Sequence, residues 1–114
     1  MPNLLGLTPE AGVVHQCVGW PAPKRNPPHR IDVPGTLQTN ILLVTNLYDS
    51  RTPLAMAVQL QQEIRLDRAV LVARNAVGHS VYHQPDAFDG PTVKAMDRYL
   101  LTGETPEQGT VFDN

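Results

Sequence analysis

Ile41-Leu42-Leu43-Val44-Thr45-Asn46-Leu47-Tyr48-Asp49-Ser50-Arg51-Thr52-Pro53 runs from an apolar strand signal through a polar loop to a helix start. Its near-continuous apolar opening predicts a first strand over 40–45 that is covered on both faces. Thr52-Pro53 predicts the start of a helix, with Ser50 or Thr52 as N-cap and Pro53 near the first helical position. Leu54, Ala57, Val58 and Ile64 then recur at helical spacing and Leu60 broadens the stripe, so 53–65 is expected to be an amphipathic helix. Arg65-Leu66-Asp67-Arg68 is a solvated turn into a second apolar run, Ala69-Val70-Leu71-Val72-Ala73, read as a strand over 69–74. That run leads toward Gly78-His79. A last helix is expected over about 91–102, opened by Pro91 and closed by Gly103, with Val93, Met96, Tyr99 and Leu100 on one face.

The order strand, helix, strand, helix predicts an α/β fold in which short parallel strands are joined by a right-handed crossover helix and followed by a C-terminal helix. In open parallel sheets, functional residues sit beyond the carboxyl ends of the strands. Asp49 and His79 both fall there. Two strands alone make an incomplete sheet, because parallel strands need apolar cover on both faces and neighbours along their edges. Isolated, such strands favour association or poor solubility.

Length and composition bound what the pair can mean. The chain has 114 residues, which is one small domain at most or part of a larger one. A hydrophobic fraction of 41% suffices for a packed core. Eleven prolines and eight glycines, dense at the start and after His79, divide the chain into an irregular proline-rich segment, 1–35, and an α/β segment, 36–114. The net charge of −2 gives no electrostatic case for nucleic acid, since phosphate binding needs a basic surface. Lys24, Arg25 and Arg30 do cluster, but prolines interrupt them. No apolar run approaches the roughly 20 residues of a membrane span, and Met1-Pro2-Asn3-Leu4-Leu5 lacks the pattern of a signal peptide.

Several residues carry competing readings. Asp49 can be a carboxylate poised for chemistry or a cap for the helix that follows. His79 can be its partner or an ordinary loop histidine. His79 and His83 have a spacing that suits two metal ligands on a helical turn, but no helix is expected there, and neither a metal nor a cofactor is expected. The two serines are Ser50, a loop or cap residue, and Ser80, whose Gly78-His79-Ser80-Val81-Tyr82 setting matches four positions of the elbow G-x-S-x-G. Against Ser80 stand the residues Arg74 to Val77 between strand and glycine, Tyr82 in the place of a small residue, and Gln84-Pro85-Asp86, which does not start a helix. The single Cys17 cannot form an intrachain disulfide. Trp20 is read as a packing residue, and His15 and His29 as surface residues.

Cys17-Val18-Gly19-Trp20-Pro21, Ile41-Leu42-Leu43-Val44 to Asp49-Ser50-Arg51-Thr52-Pro53, Gly78-His79, Tyr99-Leu100-Leu101-Thr102-Gly103, Pro106 and Gly109-Thr110 follow one another in a familiar order. Together they resemble the C-terminal domain of tripeptidyl aminopeptidase-like α/β hydrolases, which are serine exopeptidases and related hydrolases. The likeness runs from about residue 17 to 111. It implies the C-terminal portion of an α/β-hydrolase fold, with Asp49 at the position of the triad acid and His79 at that of the base. Family members often carry a cysteine after Gly-Thr, where this chain has Val111-Phe112, so the usual disulfide of the Cys17 position is not supported there.

The resemblance implies peptide or small ester or amide substrates, cleaved by a Ser-Asp-His mechanism once a nucleophile-bearing domain, a partner chain or an N-terminal region, completes the site. It also implies secretion, although this chain shows no signal peptide. The sequence contains no G-x-S-x-G, so the isolated chain is expected to be inactive. Two alternatives stay open: a non-catalytic interaction module whose sheet edge recruits a strand, and a small hydrolase using Ser80.

Overall fold

The computed structural model describes Gly19, Pro21 and residues 32–113. The short helix near Thr8-Ala11 and the readings of Cys17, Trp20, His15, His29 and the Lys24, Arg25, Arg30 cluster lie outside the described residues. Strand β1 spans Ile41–Tyr48, helix α1 Leu54–Ile64, strand β2 Ala69–Val77, helix α2 Pro91–Thr102 and strand β3 Val111–Phe112, with a single 3-10 turn at Pro85–Ala87. The strands form an open sheet in the order β1-β2-β3, with both pairings parallel. This is a partial α/β-hydrolase architecture.

Both predicted strands exist and both continue further than expected, to Tyr48 and to Val77. The register pairs Ile41 with Ala69 and proceeds in step to Asn46 and Arg74. It then slips, so that Tyr48 pairs with Val77. The slip is a bulge that places one extra residue in β2, and it brings the two strand ends level. Asp49 leaves β1 beside the point where Gly78 leaves β2.

Alternation along the paired strands puts Leu42, Val44 and Asn46 on the same face as Val70, Val72 and Arg74. On that face Val44 and Met96 pack against a buried cluster of Val81, Ala87 and Val93. Ala69, Leu71 and Ala73, at the intervening positions of β2, are also buried. Helix α1 packs across β1 and β2. Its buried stripe differs from the expected one: Val58 is exposed, and Gln61 is buried together with Ile64. The amide of Gln61 survives there because Nε2 donates to the carbonyl of Ala69 at 2.8 Å and to Gln108 Oε1 at 2.7 Å.

Gln108 also explains a strand that the sequence reading missed. Its Oε1 accepts the backbone N–H of Leu71 at 2.8 Å, Gly109 N–H bonds to Leu71 O, and Ala73 N–H to Thr110 O, each at 2.9 Å. The chain is thereby led onto the free edge of β2, where β3 forms. Helix α2 has the expected limits and stops at Gly103, whose φ of 75° is left-handed and whose N–H bonds back to Tyr99 O. Its packed face is narrower than the sequence suggests. Leu100 is exposed, while Tyr99 turns inward and donates its hydroxyl to Asn40 O at 2.9 Å.

The expected side-chain cap of α1 is absent. Pro53 occupies the N-cap position and no side chain bonds the first turn, so neither Ser50 nor Thr52 caps the helix. Thr52 has a different task.

Candidate functional site

The loop from β1 to α1 is tied by one carboxylate. Asp49 Oδ1 accepts the backbone N–H groups of Arg51 and Thr52 at 2.8 and 3.0 Å, and Oδ2 accepts the Thr52 hydroxyl at 2.8 Å. The fourth donor is Nδ1 of His79, 2.9 Å from Oδ2. With its side chain only 3% exposed, Asp49 has both oxygens filled by donors and little access to water. The backbone N–H of Thr52, reinforced by Arg51 N–H, the Thr52 hydroxyl and His79, holds this carboxyl well below the usual carboxylate range, against the opposing effect of burial. Asp49 thus caps its own turn rather than the helix, and its Oδ2 accepts the histidine as well as the Thr52 hydroxyl.

The same network assigns the proton on His79. The Thr52 hydroxyl has one hydrogen and directs it to Asp49, so its 3.2 Å contact with His79 Nδ1 needs the hydrogen on the ring. Nδ1–H is then shared between Asp49 Oδ2 and Thr52 Oγ1. In the neutral ring Nε2 is left as an acceptor, and it has no hydrogen-bond partner among the described residues. The His79 side chain is 42% exposed. A carboxylate behind Nδ1 and an Nε2 without a hydrogen-bond partner among the described residues, on a partly exposed ring, form an arrangement that can accept and return a proton.

The turn bearing His79 is held by three hydrogen bonds from two side chains. Asn46 Nδ2 donates to Gly78 O at 2.9 Å and to Ser80 O at 3.0 Å, while Gln84 Nε2 donates to His79 O at 2.7 Å. Gly78 has φ of 105°, and a Cβ there would stand 2.9 Å from Gln84 Nε2. None of Asn46, Gln84 and the Thr52 hydroxyl was singled out for this site by the sequence. Only Thr52 carried a signal, its place after Asp49 in the D-x-x-T-P pattern.

Ser80 is exposed, with φ of 67°. Because β2 runs to Val77, the strand does lead straight into Gly78, which corrects one objection to the elbow reading. The others remain, since residues 81–84 form no helix and Tyr82 fills the small position. No hydrogen bond joins the hydroxyl of Ser80 or Ser50 to His79 among the described residues. His83 meets the edge of the Tyr82 ring and takes no part in the pair. No group of three or more His, Cys, Asp or Glu side chains among the described residues could hold a metal ion. No described helix is long and apolar enough to cross a membrane.

Beneath the site, Arg74 is wholly buried and bonds Asp86 Oδ2 at 2.7 Å through Nη2. That bond holds the Asp86 carboxyl below its ordinary range. Arg74 Nε and Nη1, Asn46 Oδ1 and Thr92 Oγ1 are buried without a direct hydrogen-bond partner. A separate groove lined by Lys94, Arg98, Glu104 and Phe112 contains neither Asp49 nor His79.

A family model described as TAP-like protein matches residues 7–112. Among curated proteins, serine protease Hip1 of Mycobacterium tuberculosis and that of Mycobacterium bovis are each 31% identical to the chain over 93 residues. The alignment covers 82% of this chain and 16% of each relative. No solved structure gives a significant match.

Proposed function

The chain belongs to the TAP-like family of α/β hydrolases, and we propose that it supplies the acid and the base of a serine hydrolase acting on peptide bonds. The observation that carries this reading is the 2.9 Å contact between His79 Nδ1 and the buried Asp49 carboxylate at the level ends of two parallel strands. The serine and the oxyanion hole would come from polypeptide outside these 114 residues. Support for that comes from the absence of G-x-S-x-G in the sequence and from the 16% of the Hip1 length that the chain spans. Strand β1 is one of the two outer strands of the described sheet, and its open edge is where a further strand would pair.

In the completed site, His79 Nε2 takes the proton of the serine hydroxyl as that oxygen attacks the carbonyl, and returns it to the departing amine. Asp49 keeps the ring in the Nδ1–H form and stabilises the imidazolium while it exists. The test is to produce the chain together with a nucleophile-bearing TAP-like portion and to offer aminoacyl and tripeptidyl chromogenic substrates. Turnover that disappears with His79→Ala or Asp49→Ala is expected. Turnover by the chain alone, lost with Ser80→Ala, would replace this reading with that of a self-contained hydrolase. A completed assembly without hydrolysis would refute it.

A further inference from the structure

We propose that Asn46 is the positioning residue that sets His79 against Asp49. The inference rests on reading that pair as acid and base, but it concerns the geometry that delivers the ring. Asn46 lies on β1, three residues before Asp49, and is 1% exposed. Its Nδ2 has two hydrogens, and they go to the carbonyls of Gly78 and Ser80 at 2.9 and 3.0 Å. Those carbonyls flank His79. One rigid, planar amide therefore fixes the peptide group that precedes the histidine and the one that follows Ser80, and ties the turn between them to the strand that leads into the carboxylate.

The turn needs such a tie. Gly78 and Ser80 both have positive φ, 105° and 67°, and a non-glycine residue in that region is held there only by its surroundings. The orientation of the Asn46 amide is set by the same contacts. Exchanging its nitrogen and oxygen would aim Oδ1 at two carbonyl oxygens, with no hydrogen between them. Gln84 secures the carbonyl of His79 itself, but it lies only five residues further along the same segment, and so adds rigidity without a tie to the strand that leads to Asp49.

The test uses the full chain labelled with 15N-histidine, with His83 as internal control. In the wild type, with the ring neutral, His79 is expected to show a single tautomer with a protected Nδ1–H resonance. In Asn46→Ala, with circular dichroism and the amide protection of β1 and β2 retained, the resonance is expected to vanish and the ring nitrogens to approach the averaged shifts of a free imidazole. A folded Asn46→Ala chain that keeps the wild-type His79 signature overturns the proposal. Should that variant fail to fold, the wild type decides. The Asn46 Nδ2 protons are expected to exchange on the order of tenfold more slowly than those of the exposed Gln62 amide, and equal rates overturn the proposal. Because these signals do not depend on turnover, an intact signature in an inactive completed assembly would refute the hydrolase reading and leave the role of Asn46 standing.

Discussion

Thr52 binds Asp49 twice, its backbone N–H bonding Oδ1 at 3.0 Å and its hydroxyl bonding Oδ2 at 2.8 Å. The hydroxyl bond falls on the same oxygen that faces His79. Threonine thus orients the carboxylate and, through its oxygen, offers the Nδ1–H a second acceptor.

Thr52→Val keeps the backbone bond and deletes the hydroxyl one. The Asp49 carboxyl is expected to titrate higher than in the wild type, though still below an ordinary aspartate, because the two backbone donors remain. Thr52→Ser should restore the original midpoint. Carbon-13 titration of the carboxyl measures it, and an unchanged midpoint in the valine variant would discard this role.

The lowered pKa of Asp49 predicts the sign of a pH dependence. Its ionised form is favoured by folding, so the contribution is fully present above the unfolded value of about 3.9 and is lost as pH falls below it toward the folded value. Asp49→Asn is expected to be less stable than wild type at neutral pH, with the gap closing as the solution is acidified below about pH 4. Urea denaturation across that range gives the answer. A gap independent of pH would rule the linkage out.

Gln61 and Gln108 form a connection between helix, strand and β3. Gln61→Leu is expected to destabilise the chain by roughly 1–3 kcal/mol, the range for leaving buried partners unsatisfied. Gln108→Ala should remove the shared acceptor, so the double variant should lose less than the two single losses added together. Strict additivity in denaturant midpoints would mean that the two amides act separately.

Arg74 and Asp86 are unequal partners, one wholly buried and the other largely exposed. Asp86→Ala leaves the buried guanidinium without that carboxylate, whereas Arg74→Met removes the charge and keeps apolar volume. The aspartate variant is expected to be the less stable of the two. Thermal melts of both variants compare them, and the opposite order would contradict this account of the ion pair.

Much of the fold was legible because it rests on local pattern. The strands at 41 and 69, the helix at 54 and the limits of α2 follow from apolar runs, Pro91 and Gly103. The convergence of Asp49 and His79 was legible from their places after two parallel strands. Strand β3 was not, because two residues have no periodicity and their pairing depends on the side chain of Gln108. Nor were Gln61 and Asn46, whose burial is made possible by carbonyls distant in sequence. Leu100 misled because its spacing suits the packed face of α2, yet that face is too narrow to include it.

The bulge after Arg74 makes the site sensitive to count before composition. Exchanging one side chain for another at Asn75 or Ala76 leaves the strand ends level, but deleting either residue would draw His79 back along β2 and rotate the turn relative to Asp49. The distance between these two side chains is thus written partly as a number of residues. A silent-looking loss of one codon there would disarm the pair while every residue that touches it remained in place.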